Sequence, residues 1–289
     1  MRFIIFLLAA MIGLVSIWSA GYASEPVSAS PQRVITVGAP ATEIVFALGA
    51  GDRVIATDTT STSPEAVGDL PKIGYMRTLA TEGIVGLKPD LILVVEKAGP
   101  DAALNDFVAL GIPVVKLPSL DHLANLPDAI RITADALHLG DIGQEMAGRV
   151  RDDIASIQNM AGADHAKIVF LMAVGHGQPM SAGRNTTADE IIHLVGGENP
   201  MDSYDGFKPV SPEAITADAS DYVLMPDSTL DHFGGLAGLS QHPALGLHPA
   251  VAQGRVLTMS SSTILGFGPR SVGEIRLLAE KLHNISDPK

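Results

Sequence analysis

The chain has 289 residues, a formal charge of −13 from 19 Lys and Arg against 32 Asp and Glu, no cysteine, 46% hydrophobic residues and only 4% aromatic ones. The missing cysteines exclude disulfide scaffolds, thiolate zinc sites, iron–sulfur clusters and cysteine nucleophiles, and the acidic balance argues against a general nucleic-acid binder. With nearly half its residues apolar and few charge runs, the chain is globular and long enough for one large or two medium domains.

Arg2 is followed by an apolar stretch from Phe3 to Trp18 and then by Ser19, Ala20, Gly21 and Ala23. This is the order of a secretory signal peptide, residues 1–23, with cleavage after Ala23. The apolar run is shorter than the ~20 residues that a membrane span needs. Cleavage removes the only tryptophan and Tyr22, leaving Tyr75, Tyr204 and Tyr222. With no cysteine to carry a lipid, a lipoprotein anchor is not expected, and the chain reads as an exported protein.

Short β-branched runs then alternate with helical segments. Val34–Val37, Val54–Ala56, Leu91–Val95 and Val114–Leu117 read as strands, with helix signals at Thr42–Leu48 and Thr81–Leu87. Lys167–Met172, Tyr222–Met225 and Val256–Met259 repeat the strand pattern, and Asp189–Gly197 echoes Thr42–Gly51. Glu82 stands eight residues before Asp90 at a strand start, as Glu213 does before Asp221. Between the halves, Leu123 to Ala161 is helical in signal, with Met146, Val150, Ile154 and Ile157 on one face. The pattern predicts an α/β protein of two Rossmann-like lobes with parallel sheets, joined by one long helix, with a ligand cleft between the lobes. The expected boundaries are 24–137 for the first lobe, 138–162 for the helix and 163–289 for the second lobe. A helical connector is stiffer than a loop hinge, so closure movements should be small.

The segment richest in chemistry runs from Asp58-Thr59-Thr60-Ser61 through Pro71-Lys72-Ile73-Gly74-Tyr75-Met76-Arg77 to Glu82. Most tyrosines are core residues with a satisfied hydroxyl. Gly74 and Pro71 disfavour burial in a regular element, and Arg77 would favour a phenolate. A free phenol has a pKa of about 10, so ionisation near neutrality needs a Lewis acid such as ferric iron or a neighbouring cation. Tyrosinate is one of the axial ligands that haem iron accepts. Both readings stay open on the residues alone, as does the reading of Asp58–Ser61 as either a hydroxyl-rich ligand site or a turn and helix cap.

The Gly74-Tyr75-Met76-Arg77 loop, Lys88-Pro89-Asp90, Pro179–Asp189, Gly206–Glu213 and Gly266-Phe267-Gly268-Pro269-Arg270 resemble the periplasmic haem-binding proteins of bacterial haem ABC importers. These belong to the cobalamin and siderophore type (class III) of substrate-binding protein. The resemblance runs from about Arg33 to the C-terminus. It implies a periplasmic carrier, not an enzyme, that captures haem in the interlobe cleft and delivers it to an ABC permease and its ATPase as a monomer. It further implies Tyr75 as the axial ligand to haem iron, Arg77 as a basic neighbour, and His176 as a possible second axial ligand from the second lobe. Glu82 and Glu213 would dock on permease arginines, one from each lobe. Each also suits the N-terminal turn of a helix for dipole reasons alone.

Haem has an apolar ring and two anionic propionates. Candidate propionate partners are Arg77, Arg184, Lys208 and Arg270, and candidate ring contacts are Met76, Met180 and Phe267. A ferric siderophore or a corrinoid is the alternative cargo. An exported haem-modifying enzyme would need an acid–base pair, for which His176 is the only attractive residue. The histidines show no His-Glu-x-x-His spacing, and there is neither a Gly-x-Ser-x-Gly elbow nor a P-loop lysine. His122, His165, His242, His248 and His283 read as surface or loop residues.

Overall fold

The first β-branched run forms strand β1 (Val34–Val37), with all four residues buried. It lies between β2 (Val54–Thr57) and β3 (Leu91–Val94), and β4 (Val114–Lys116) completes a four-stranded, wholly parallel sheet in the order β2-β1-β3-β4. Parallel strands are covered on both faces and therefore read as continuous apolar runs. The crossovers carry helices α1 (Ala39–Ala47), α2 (Thr81–Gly86) and α3 (Asp101–Ala109). This computed structural model describes residues 30–160, 166–173 and 178–286. The expected signal segment 1–23 and His176 lie outside the described residues. Among the described residues, no helix is long and apolar enough to cross a membrane.

The helix signal of Leu123–Ala161 resolves into two helices, α4 (Leu126–Ala136) and the 21-residue α5 (Gly140–Met160). The break falls at His138, whose φ of 58° is left-handed, the conformation that ends many helices. Met146, Val150, Ile154 and Ile157 of α5 are all buried, as their spacing requires.

The second sheet contains β5 (Ile168–Met172), β6 (Met180–Ala182), β7 (Phe207–Pro209), β8 (Tyr222–Pro226) and β9 (Val256–Met259), in the order β7-β6-β5-β8-β9. The expectation of a parallel sheet holds for β5, β8 and β9, whereas β6 and β7 add an antiparallel edge. Those two strands have three residues each and sit beside Pro and Gly, too short to carry a strand signal. The remaining helices are α6 (Thr187–Leu194), α7 (Pro212–Ala217), α8 (Asp227–His232), α9 (Leu236–Leu239), α10 (Pro249–Ala252), α11 (Ser261–Leu265) and α12 (Pro269–Ser286). Ile168 and Phe170 of β5 face the main core, while Val169 and Leu171 face a second cluster beneath α9 and α10, the two-residue period of a strand buried on both sides.

The internal repeat has a structural counterpart. Asp90 accepts the backbone N–H groups of Gln32 and Arg33 at 2.8 and 2.9 Å, and Asp221 accepts that of Lys167 at 2.9 Å. Each carboxylate thus secures the start of its half's first strand.

Candidate functional site

In open α/β sheets the ends of the parallel strands converge on a crevice. Here they do so twice over. Gly38–Pro40 follow β1, Thr59, Thr60 and Thr62 follow β2, Val95–Lys97 follow β3, Ser119–Asp121 follow β4, and Ser261, Ser262, Leu265 and Gly266 follow β9. Together with Tyr75, Met76 and Arg77 they enclose a cleft of about 330 Å³, within the range of small-molecule sites. Ser261 and Leu265 also border an adjoining hollow of about 290 Å³ that reaches Met172, Thr229 and His232 at the ends of β5 and β8.

The loop bearing Tyr75 is anchored on both sides. Thr57 donates its N–H to Pro71 and accepts that of Ile73, each at 3.0 Å, and the Thr59 N–H reaches the Gly74 carbonyl at 2.9 Å. The Lys72 ammonium is spent inside the loop, on Thr57 Oγ1 at 2.9 Å and the Ser61 carbonyl at 2.7 Å. Beyond Tyr75, the Gly99 N–H binds the Met76 carbonyl at 2.9 Å and the Leu79 N–H binds the Gly99 carbonyl at 3.0 Å. Gly74 has φ 96°, a left-handed value that glycine adopts without steric cost. The result is a phenol that is 44% exposed on a tethered backbone.

Arg77 is exposed on the cleft wall and has no ion pair or hydrogen bond among the described residues. The other cation of the lining, Lys97, pairs with Asp121. Sequence reading missed Lys97, although its place just past the end of β3 is a general signal for ligand contact. Arg270 lines no part of the cleft surface. Its Nη2 donates to Glu43 Oε1 at 3.1 Å and to Ser262 Oγ at 2.9 Å, so it reaches the lining only through Ser262. Glu43 is 6% exposed; burial pushes its carboxyl pKa up, against the lowering influence of Arg270. Arg184 lies 3.3 Å from Asp205 and Lys208 sits 4.8 Å above the Tyr204 ring, both on the β6–β7 side and outside the cleft lining. Met76 borders the cleft, but Phe267 is fully buried in the core, which removes it as a ring contact.

Glu82 and Glu213 are each exposed at the second residue of a short helix, α2 and α7. The Glu213 carboxyl is held below its usual value by its own backbone N–H and by Ser211. His248, expected at the surface or in a loop, caps α10 but is fully buried. Its Nδ1 accepts the Ala250 N–H at 3.0 Å, so Nε2 carries the proton and donates to Asp218 Oδ1, also at 3.0 Å. Among the described residues, no three His, Cys, Asp or Glu side chains cluster to hold a bare metal ion.

A family model described as periplasmic binding protein matches residues 34–263. The chain belongs to the periplasmic binding protein family. The fold of this periplasmic binding protein superposes with a TM-score of 0.81 on the periplasmic heme-binding protein RhuT from Roseiflexus sp. RS-1 in its apo form, 34% identical over 89% of this chain and 99% of that one. An uncharacterised ABC transporter substrate-binding lipoprotein of Bacillus subtilis, YvrC, is 24% identical over 93% of this chain and 85% of its own length. The vitamin B12-binding protein of Yersinia pestis is 27% identical over 58% of this chain and 59% of its own length.

Proposed function

We propose that this binding protein captures haem in its interlobe cleft through Tyr75 as axial ligand to the iron and delivers it, from the periplasm, to an ABC permease. The observation that carries the reading is the exposed Tyr75 phenol on the cleft wall, held on an anchored loop beside an unpaired guanidinium at Arg77. The heme-binding relative, similar over nearly all of both chains, supports the same cargo. The ring would lie against Met76, Val95 and Leu265, and the propionates would be drawn to Arg77 and to Lys97, which would exchange Asp121 for the ligand. Arg184, Lys208 and Arg270 remain candidates only on release from Asp205, the Tyr204 ring and Glu43. His176 remains the candidate for a second axial position. Glu82 and Glu213 would present one carboxylate per lobe to permease arginines. The protein acts in this reading as a carrier, so bound haem should be recovered chemically intact.

Titration of the purified protein with ferric haem should develop a Soret band that saturates. Tyr75→Phe, which keeps the ring and removes only the oxygen, should alter the band and weaken binding by about ten-fold or more, 1.4 kcal/mol per decade. An unchanged spectrum and affinity would sink the assignment. The hydroxyl-rich lining of Thr59, Thr60, Thr62, Ser119, Ser261 and Ser262, with the B12-binding relative, favours a corrinoid as the second reading. Cobalamin that binds where haem does not would establish it.

A further inference from the structure

Asp58, one end of the hydroxyl-rich run Asp58–Ser61, does not line the cleft itself, yet it lies behind two of its walls. It is fully buried and follows β2 directly. Its Oδ1 accepts the Gly38 N–H at 2.8 Å and the Ser61 hydroxyl at 2.7 Å, and its Oδ2 accepts the Thr60 N–H at 3.0 Å and the Thr60 hydroxyl at 2.5 Å. Four donors fill the roughly four lone-pair sites of a carboxylate. Because the Ser61 hydroxyl gives its proton to Asp58, it accepts from Thr42 at 2.7 Å, and Thr42 in turn accepts from Thr36 at 2.7 Å. A buried chain of hydroxyls thus ends on this one acid.

Gly38 and Thr60, both held by Asp58, line the cleft on different strand ends. Between Asp58 and Thr60, the Thr59 N–H binds the carbonyl of Gly74, the residue before Tyr75, and Thr60 Oγ1 lies 4.0 Å from Met76 Sδ, the residue after it. On these contacts, and resting on the haem reading above, we propose that Asp58 is a positioning residue that sets the Tyr75 phenol in place for the iron. An amide at this position keeps the shape but turns an –NH2 toward backbone and hydroxyl donors, so the Gly38–Thr60 clamp opens. Groups that orient a metal ligand without touching the metal typically change metal affinity by about 10–100-fold when altered.

The test separates this proposal from the haem reading by starting without ligand. In the apo protein with ring-13C-labelled tyrosine, Asp58→Asn should shift or broaden the Tyr75 signals and leave those of Tyr204 and Tyr222 in place. On haem titration it should lower affinity by about 10–100-fold and move the Soret band. Thr36→Val, at the far end of the hydroxyl chain, should lower the melting temperature without moving the Tyr75 signals. Where Asp58→Asn does not fold, Thr60→Val carries the same expectation and Thr60→Ser should restore the wild-type signals. A folded Asp58→Asn or Thr60→Val protein with a lowered melting temperature but unchanged Tyr75 signals and haem spectrum overturns the proposal. Wild-type protein that takes up no haem overturns the haem reading instead, while the apo signals still report whether Asp58 places Tyr75.

Discussion

Glu43 in α1 and Glu190 in α6 occupy matching places in the repeated halves, and each sends its carboxylate across to the other half. Glu43 accepts from Arg270 at the start of α12, and Glu190 accepts the Leu123 N–H at 2.6 Å beside a 2.5 Å contact with His122. The Phe267 N–H adds a bond to the Leu120 carbonyl at 2.8 Å. These contacts lie alongside the cleft and tie residues of one half to the other, so the lobes are joined by more than the connecting helix.

Glu43 gives a pH dependence with a definite sign. Burial raises its native pKa above the ordinary 4.5, so the folded state keeps this proton to higher pH than the unfolded chain. Its support for folding is complete in acid and is lost as the pH rises from 4.5 through the native value. Glu43→Gln should remove that slope, so that urea midpoints across this window fall with pH in the wild type and stay flatter in the variant.

Gly268 is packed against the same carboxylate. A Cβ on it would stand 2.3 Å from Glu43 Oε2 and 3.0 Å from Cδ, which forces the glutamate away from Arg270. Gly268→Ala should cost about 1–3 kcal/mol, the usual penalty of overpacking. Chemical denaturation measures the loss, and pairing the variant with the shorter Glu43→Asp should recover part of it.

Among the described residues that line the cleft, Arg77 is the unpaired cation, whereas Lys97 already holds Asp121. A hydrogen bond to a charged group contributes about 1.5–3 kcal/mol, so Arg77→Ala should weaken haem binding about ten-fold or more. Lys97→Ala should also weaken binding, because it removes a cation from the cleft and leaves Asp121 unpaired to repel the propionates. Asp121→Asn should tighten binding by releasing Lys97 to the propionates, as read by absorbance titration at low and high salt.

Glu82 and Glu213 stand clear of the cleft lining. The double variant Glu82→Ala with Glu213→Ala should therefore bind haem as the wild type does and fail to support uptake through the permease in membrane vesicles. Loss of haem binding in that variant would contradict a docking role.

His248 and Asp218 form a buried pair that secures the end of α7 to α10. Burial pushes Asp218 upward, but the hydrogen bonds from His248 and Ser220 outweigh it and bring its pKa below the ordinary 3.8. Its contribution is present above that value and lost as the pH falls through the native pKa. His248→Ala should cost about 1–3 kcal/mol by leaving Asp218 without its partner, measured as a lower melting temperature with little change in haem affinity.

The sequence by itself determined the alternation of strand and helix, because β-branched runs and a 3.6-residue apolar period are local signals. It also determined the Tyr75 loop, since Pro71 and Gly74 disfavour a regular element there, and the matched aspartates Asp90 and Asp221, whose spacing repeats. Two short edge strands, β6 and β7, carry too few residues to be legible. Only the tertiary structure decided which charges face the ligand. Arg270 reads as a loop cation beside glycines, yet it is bound to a buried Glu43 that stands 227 residues away in the chain. Lys97 reads as an ordinary charge, yet the end of β3 delivers it to the cleft. A side chain's residue type is local information, whereas its partner is set by which strand ends and helices the sheets bring together.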